Sequence, residues 1–281
     1  MLLSLRAFLV FIVLFLALLL INVIQVLSFT IYPFSKKGFR KVNTFLAGLW
    51  WGSCESIMKW LGIDVVLSGD KVPEGENVIL ISNHQGWGDI PILFKLAKET
   101  KQIAHMKWFV KDILKYVPGL GWGMLFIDCL FVKRNWHKDK DKIQGTFRKF
   151  FENNIPIWLM IFPEGTRFRP HKLKRMEKMA KKKNLPNLSH VLYPRPRGFV
   201  ASVQALRGHC HAVYDVTIIY EGEVPSFSDL FLGKVKKVNL HVRRFELDSL
   251  SDDMESLSDW IMERFCIKNE MIAESRGKRP T

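Results

Sequence analysis

The 281-residue sequence is short of the features that mark many small functional scaffolds. Its four cysteines, Cys54, Cys129, Cys210 and Cys266, are scattered and form no C-x-x-C pair. That spacing supports neither a disulfide framework nor a structural zinc site, and it suits a reducing compartment. No G-x-S-x-G elbow is present, so a serine acyl-enzyme has no sequence support. Acidic residues are also scarce, with 27 Asp and Glu against 42 Lys and Arg, for a formal charge of +15. A disordered basic tail is excluded because 48% of the residues are hydrophobic. Neither an internal repeat nor a low-complexity linker divides the chain, whose length suits one large domain or two small ones.

The hydrophobic share is unevenly placed. An unbroken apolar run covers residues 7–21, and no charge occurs from residue 7 to residue 35. About 20 helical residues cross a bilayer core, so this stretch reads as a membrane anchor even with Asn22 and Gln25 inside it. A cleaved secretory signal is the alternative; the length of the uncharged stretch and the lack of a small-x-small cleavage site argue against it. Lys36, Lys37, Arg40 and Lys41 follow, against a lone Arg6 before, which places the later residues on the cytoplasmic side of the membrane. A second apolar stretch over 42–63, interrupted by Glu55 and Lys59, reads as an amphipathic helix. Its tryptophans, Trp50, Trp51 and Trp60, suit the headgroup zone and favour a helix lying in the interface over a second span, whereas a core helix of the following domain would show the same pattern. The expected division is therefore an anchor over 1–62, made of a transmembrane helix plus an interfacial helix, and a catalytic domain over 63–281.

Beyond residue 62, short apolar runs alternate with charged helix-like stretches, an α/β signature. Strands are predicted over 78–82, 125–132, 157–162, 212–220 and 238–245. Helices are predicted over 90–99, 138–153, 172–183 and 254–267, with a loose polar tail from 273 to 281.

Two strand ends carry the chemistry. The strand VILIS runs into Asn83-His84-Gln85-Gly86-Trp87-Gly88-Asp89 before a helix opens. His84 and Asp89 are five apart and cannot share a face of a regular helix. A loop containing Gly86 and Gly88 can instead fold the carboxylate back onto the imidazole, fixing its tautomer and supporting the imidazolium. Read as structure only, Asp89 would cap the helix beginning at Ile90-Pro91. The second strand end is Phe162-Pro163-Glu164-Gly165-Thr166-Arg167, where Gly165 permits close backbone approach, Thr166 offers a hydroxyl and Arg167 a fork suited to phosphate. A plain turn with a solvated Glu164–Arg167 ion pair is the structural alternative.

Taken together, NHQGWGD and FPEGTR resemble the glycerolipid acyltransferase family that includes 1-acylglycerol-3-phosphate acyltransferases, marked by N-H-x-x-x-x-D and a later P-E-G-T-R block. The stretch KDILKYVPGLGW from Lys111, then Phe131-Val132-Lys133-Arg134, is similar to the family's intervening blocks. Val191-Leu192-Tyr193-Pro194-Arg195 resembles its proline-containing strand, and Tyr214-Asp215-Val216-Thr217 the strand after it. The resemblance implies a mixed α/β sheet flanked by helices behind the anchor, and transfer of an acyl group to the hydroxyl of lysophosphatidic acid, giving phosphatidic acid. It implies His84 as base and Asp89 as its orienting partner. Arg134, Lys133 and Arg167 would hold the acceptor phosphate, with Glu164, Gly165 and Thr166 shaping that pocket, and Lys111 or nearby backbone N–H groups would face the oxyanion or donor. No metal and no cofactor are expected, acyl-CoA or acyl carrier protein serving as co-substrate. Another lysophospholipid, such as lysophosphatidylinositol or lysocardiolipin, is the alternative acceptor. A membrane-anchored nucleic-acid-binding protein would explain the charge but not the two strand-end motifs. No nucleic acid partner is therefore expected. The absence of C-terminal spans in so short a chain points to a bacterial inner membrane. Residues 107–183 hold 19 Lys and Arg against 7 Asp and Glu. That run reads as a solvated helix face that can also meet anionic lipid or an acidic acyl donor.

Overall fold

The computed structural model describes residues 2–133, 135–182 and 184–277. In chain order the elements are α1 (Leu2–Leu27), α2 (Lys36–Trp60), β1 (Asp64–Gly69), β2 (Val78–Ser82), α3 (Asp89–Glu99), β3 (Met106–Lys111), α4 (Leu120–Phe126), β4 (Leu130–Val132), α5 (Trp136–Glu152), β5 (Trp158–Ile161), α6 (Pro170–Lys182), α7 (Pro196–Leu206), β6 (Ala212–Tyr220), α8 (Phe227–Phe231), β7 (Lys237–Glu246) and α9 (Met254–Gly277). The strands form one sheet in the order β1-β7-β6-β2-β5-β3-β4. Every pairing is parallel except β6 with β7. This is the mixed α/β architecture that the sequence implies.

The central strands are apolar without alternation because both faces of the sheet are covered. In β2 every residue is buried. Val78 and Leu80 point into a cluster with Trp50 and Trp51 of α2 and Ile92 and Leu93 of α3. Ile79 and Ile81 point the other way, toward Phe147 and Phe150 of α5, Val203 of α7 and Ile261 and Phe265 of α9. The two-residue repeat of a strand thus feeds two cores from one short run.

The two amino-terminal helices form an antiparallel hairpin. The Arg6 guanidinium lies 3.9 Å from the centre of the Trp60 ring and donates to the Trp60 carbonyl at 3.3 Å. At the far end Asn43 Nδ2 donates to Ser28 Oγ at 2.9 Å. Asn22 and Gln25, the polar interruptions of the apolar run, are buried; Asn22 donates to Gln25 Oε1 at 3.1 Å and accepts from the Gly119 N–H at 3.0 Å. The two readings of residues 42–63 fall on two faces of α2. Trp51 packs edge-on against Trp108 of β3 with ring centres 5.0 Å apart, while Phe45, Leu49 and Trp60 are exposed.

Several sequence expectations need correction. Of the strand predicted over 125–132, only Leu130–Val132 pairs; its beginning closes α4, and Asp128 turns the chain with φ of 62°. Short apolar runs do not separate helix from strand by periodicity alone. The proline-containing segment 191–195, buried from 191 to 194, forms no strand; the Arg195 N–H donates to the Pro163 carbonyl at 2.8 Å. The polar tail is helical as far as Gly277 because Ile272 is buried against the core; 278–281 lie outside the described residues. Strands β1 and β3 and helices α4, α7 and α8 were not anticipated.

Helix α9 is pinned under the sheet by charge. Lys268, fully buried, donates to the Val216 carbonyl at 2.6 Å and pairs with Asp215. Asp215 also receives Arg264 Nε at 2.8 Å. Removing one member of a buried ion group strands the others without solvent. Lys268→Met is expected to destabilise the fold by about 3–5 kcal/mol, seen as a lowered midpoint in denaturant unfolding of the detergent-solubilised protein.

Candidate active site

Strands β2 and β5 pair in parallel, with Ile81 opposite Ile161, so both chains leave the sheet level with each other on one edge. The two motif loops therefore start side by side. Asn83 is still held by the sheet: its Nδ2 donates to the Ile218 carbonyl at 3.0 Å and its Oδ1 accepts the Ile218 N–H at 2.8 Å. The side chain substitutes for the next rung of backbone pairing, and the chain turns away at His84.

Asp89 opens α3 but does not cap it. Gly88 holds the capping position, and no side chain satisfies that helix end. The Asp89 carboxylate, fully buried, turns back into the loop and accepts from His84 Nδ1 at 2.8 Å, the Gly86 N–H at 2.8 Å and the Tyr220 hydroxyl at 2.7 Å. A carboxylate only accepts, so Nδ1 carries the imidazole proton and Nε2 presents its lone pair. The imidazole stacks on Phe162, with ring centres 4.1 Å apart and planes inclined by 18°. Burial, and then the charge of Asp89, push the Tyr220 hydroxyl well above the usual phenol range and keep it a donor.

Glu164 joins the two loops. Its Oε1 accepts the His84 N–H at 2.9 Å, and the Phe168 N–H donates to the His84 carbonyl at 2.7 Å. The peptide units flanking His84 are thus clamped by the second loop on both sides. Glu164 is fully buried on the His84 N–H while Arg167 lies over Trp87, so the solvated pair allowed by the sequence is not what the fold contains. Desolvation raises its pKa well above the carboxylate range and the Asp89 charge adds to this, while the N–H groups of His84 and Leu192 oppose it.

The remaining predicted residues lie along the same edge. Gly165 has φ of 67°, in the left-handed region, and a Cβ there would stand 3.5 Å from the Arg195 side chain. Thr166 Oγ1 accepts from Lys172 Nζ. The Arg167 guanidinium lies 4.1 Å from the centre of the Trp87 ring, joining the loops a second time, and burial draws its pKa down. Lys111 ends β3, and Lys133 follows β4; both are exposed. In the strand order β2-β5-β3-β4, with about 4.8 Å between neighbours, these ends lie about 10 and 14 Å from the end of β2. Arg134 lies outside the described residues. Asp139 shapes that loop by accepting the Lys133 and Asn135 N–H groups, each at 2.9 Å.

Sequence reading missed Tyr220 and Asp139. Tyr220 ends a buried strand 131 positions from Asp89, and no local pattern signals the contact. Asp139 did leave a trace, an acidic residue four positions after Asn135 at a helix start. Among the described residues no group of three or more His, Cys, Asp and Glu side chains is arranged to hold a metal ion.

The family described as Acyltransferase matches residues 64–221, from the start of β1 to just past Tyr220. The chain belongs to the acyltransferase family. It is 33% identical over 251 residues to a probable 1-acyl-sn-glycerol-3-phosphate acyltransferase 5 of Arabidopsis thaliana, covering 88% of this chain and 67% of the relative. The human 1-acyl-sn-glycerol-3-phosphate acyltransferase gamma is 29% identical over 270 residues, covering 93% and 72%. The crystal structure of the 1-acyl-sn-glycerophosphate (LPA) acyltransferase PlsC from Thermotoga maritima has a similar fold, with a TM-score of 0.50, 19% identity and coverage of 94% and 98%. As a member of the family, this chain is an O-acyltransferase.

The raised pKa of Glu164 gives a signed expectation. A folded-state pKa above the unfolded value of about 4.3 means the native state binds more protons, so this group lowers stability as pH rises through that interval. Glu164→Gln keeps an acceptor for the His84 N–H and cannot ionise. The variant should gain stability relative to the parent as pH rises from about 4.3 toward neutrality, and thermal unfolding at several pH values would test this.

Proposed function

We propose that this acyltransferase transfers a fatty acyl group from a thioester donor, acyl-CoA or acyl carrier protein, to the free hydroxyl of lysophosphatidic acid, giving phosphatidic acid. The observation that carries the reading is the Asp89–His84 contact. It commits the Nδ1 proton to the carboxylate and leaves Nε2 as a base on the edge where the Glu164–Arg167 loop also emerges. As the acceptor oxygen bonds to the thioester carbonyl carbon, His84 takes the hydroxyl proton. Collapse of the tetrahedral adduct breaks the C–S bond, and the imidazolium returns the proton to the departing thiolate. No acyl-enzyme is needed. Asp89, anchored by Gly86 and Tyr220, steadies the transient positive charge.

Arg167 and Lys133, with Arg134 by resemblance, hold the acceptor phosphate. The planar guanidinium of Arg167, braced on Trp87, suits two phosphate oxygens at once. Lys111, or backbone N–H groups near it, meets the oxyanion or the donor. The names of the plant and animal relatives support the acceptor assignment.

Helix α1 binds the enzyme to a membrane, with the residues after 35 on the cytoplasmic side. Its apolar segment is long enough to cross a bilayer, but α2 doubles back along it and brings Trp60 beside Arg6, so the pair enters the membrane from one side as a hairpin. The burial of Asn22 and Gln25 against the Gly119 region supports a retained anchor over a cleaved leader, because cleavage would strip these contacts from the enzyme.

Purified protein in detergent should acylate lysophosphatidic acid faster than lysophosphatidylinositol or lysocardiolipin. His84→Ala should lower turnover by about 10²–10⁴-fold, and parental activity in that variant would remove His84 as the base. Arg167→Ala should raise the acceptor KM more than the donor KM; a change confined to the donor would reassign the arginine.

A further inference from the structure

The segment between β3 and β4 carries an apolar surface that the chemistry leaves unused. Ile113, Tyr116, Val117, Leu120, Trp122 and Leu125 are large apolar residues, each between 39% and 68% exposed, within 13 positions. Soluble surfaces scatter such residues singly; so dense a group marks a contact surface. The backbone beneath it is tightly folded. A Cβ on Gly121 would fall 1.8 Å from the Leu114 carbonyl oxygen, so the two halves of the segment close directly on each other.

Its position decides what it meets. The segment leaves β3 at Lys111, on the sheet edge that carries His84, and reaches α1 at Gly119, whose N–H donates to Asn22 Oδ1 at 3.0 Å. A Cβ on Gly119 would stand 3.2 Å from Leu18, and Phe126 packs on Phe29 with ring centres 5.2 Å apart. The apolar patch thus lies beside α1, whose outward face exposes Leu16, Leu20 and Val23. Tyr116 and Trp122 are the side chains that favour a headgroup boundary, and Lys115, 5.0 Å from the centre of the Tyr116 ring, is paired with Asp112 at 2.9 Å, which leaves the patch without a strong charge of its own.

We propose that residues 112–126 insert into the membrane interface as a docking element separate from α1, holding the catalytic edge of the sheet against the bilayer. An acceptor lying in the bilayer then reaches His84 without leaving the membrane surface. The inference rests on the lysophospholipid acceptor and membrane reading above, and its occupant is the phospholipid interface rather than a second copy of the chain.

The full-length enzyme would be compared with Ile113→Ser/Val117→Ser and, separately, Trp122→Ser, none of which alters a residue assigned to the chemistry. Each would be assayed with a short-chain lysophosphatidic acid dissolved below its critical micelle concentration and with long-chain acceptor in vesicles of anionic phospholipid. Vesicle affinity would be measured by flotation without any donor present. Both variants should lose about tenfold in kcat/KM on the vesicle-borne acceptor and bind vesicles about tenfold more weakly, yet stay within about twofold on the dissolved acceptor. Parental behaviour on vesicles would overturn the proposal, as would equal losses on both acceptors. So would a change in oligomeric state by sedimentation without a change in vesicle affinity, which would make the patch a contact between copies. Failure of the acyl-transfer reading itself would appear differently, as no turnover by the parent on either acceptor while the flotation difference remains.

Discussion

Parallel pairing of β2 with β5 is the constraint on which the active edge depends. Two strands side by side and pointing the same way must release their chains at the same edge, whatever lies between them in sequence. Here 80 positions separate His84 from Glu164, and the pairing reduces that separation to one hydrogen bond of 2.9 Å. Because β3 and β4 continue the parallel run, Lys111 and Lys133 arrive on the same edge in strand order. The sheet acts as a ruler whose divisions are interstrand spacings, and each loop needs only local turns to present its side chains.

Beneath that edge the protein holds charge where water is absent. Asp89 and Glu164 are both fully buried, but their circumstances differ. Asp89 has three donors, His84 Nδ1, the Gly86 N–H and the Tyr220 hydroxyl. Glu164 is dominated by desolvation, which favours its neutral form. Two carboxyl groups flanking one histidine are therefore divided by environment into an electrostatic partner and a backbone clamp. Lys268, drawn down in pKa by its own burial but held by Asp215, ties the carboxy-terminal helix to β6, the strand that also supplies the Ile218 and Tyr220 contacts to the first loop.

The amino-terminal helices show why hydrophobicity alone does not assign a role. In α2 the same apolar pattern serves the core through Trp50 and Trp51 and faces outward through Phe45 and Leu49. In α1 the two polar residues that looked like blemishes in an apolar run are buried where the helix meets the protein, Asn22 accepting the Gly119 N–H and donating to Gln25. For the proposed membrane helix, packing leucine against lipid-like surroundings adds little. Hydrogen bonds between buried polar groups give it a fixed seat.

What the sequence determined by itself was set by local chemistry. The apolar stretches of β2 and β6 have the bounds they have because they are β-branched and aromatic runs ended by polar loops, and α3, α5 and α6 follow from their periodicity. The His84 and Asp89 pairing was legible because Gly86 and Gly88 give five residues the freedom to fold back, and the resemblance carried by FPEGTR linked that loop to a second. The tertiary structure alone decided what depends on neighbours distant in the chain. Tyr220 reaches Asp89 only because β6 lies beside β2; Glu164 is a clamp rather than a solvated ion because β5 lies on the other side. The segment 191–195 has a strand's composition but joins no strand of the sheet, and its burial comes from packing instead. Composition states which residues leave water; only the pairing of distant strands states what they meet when they do.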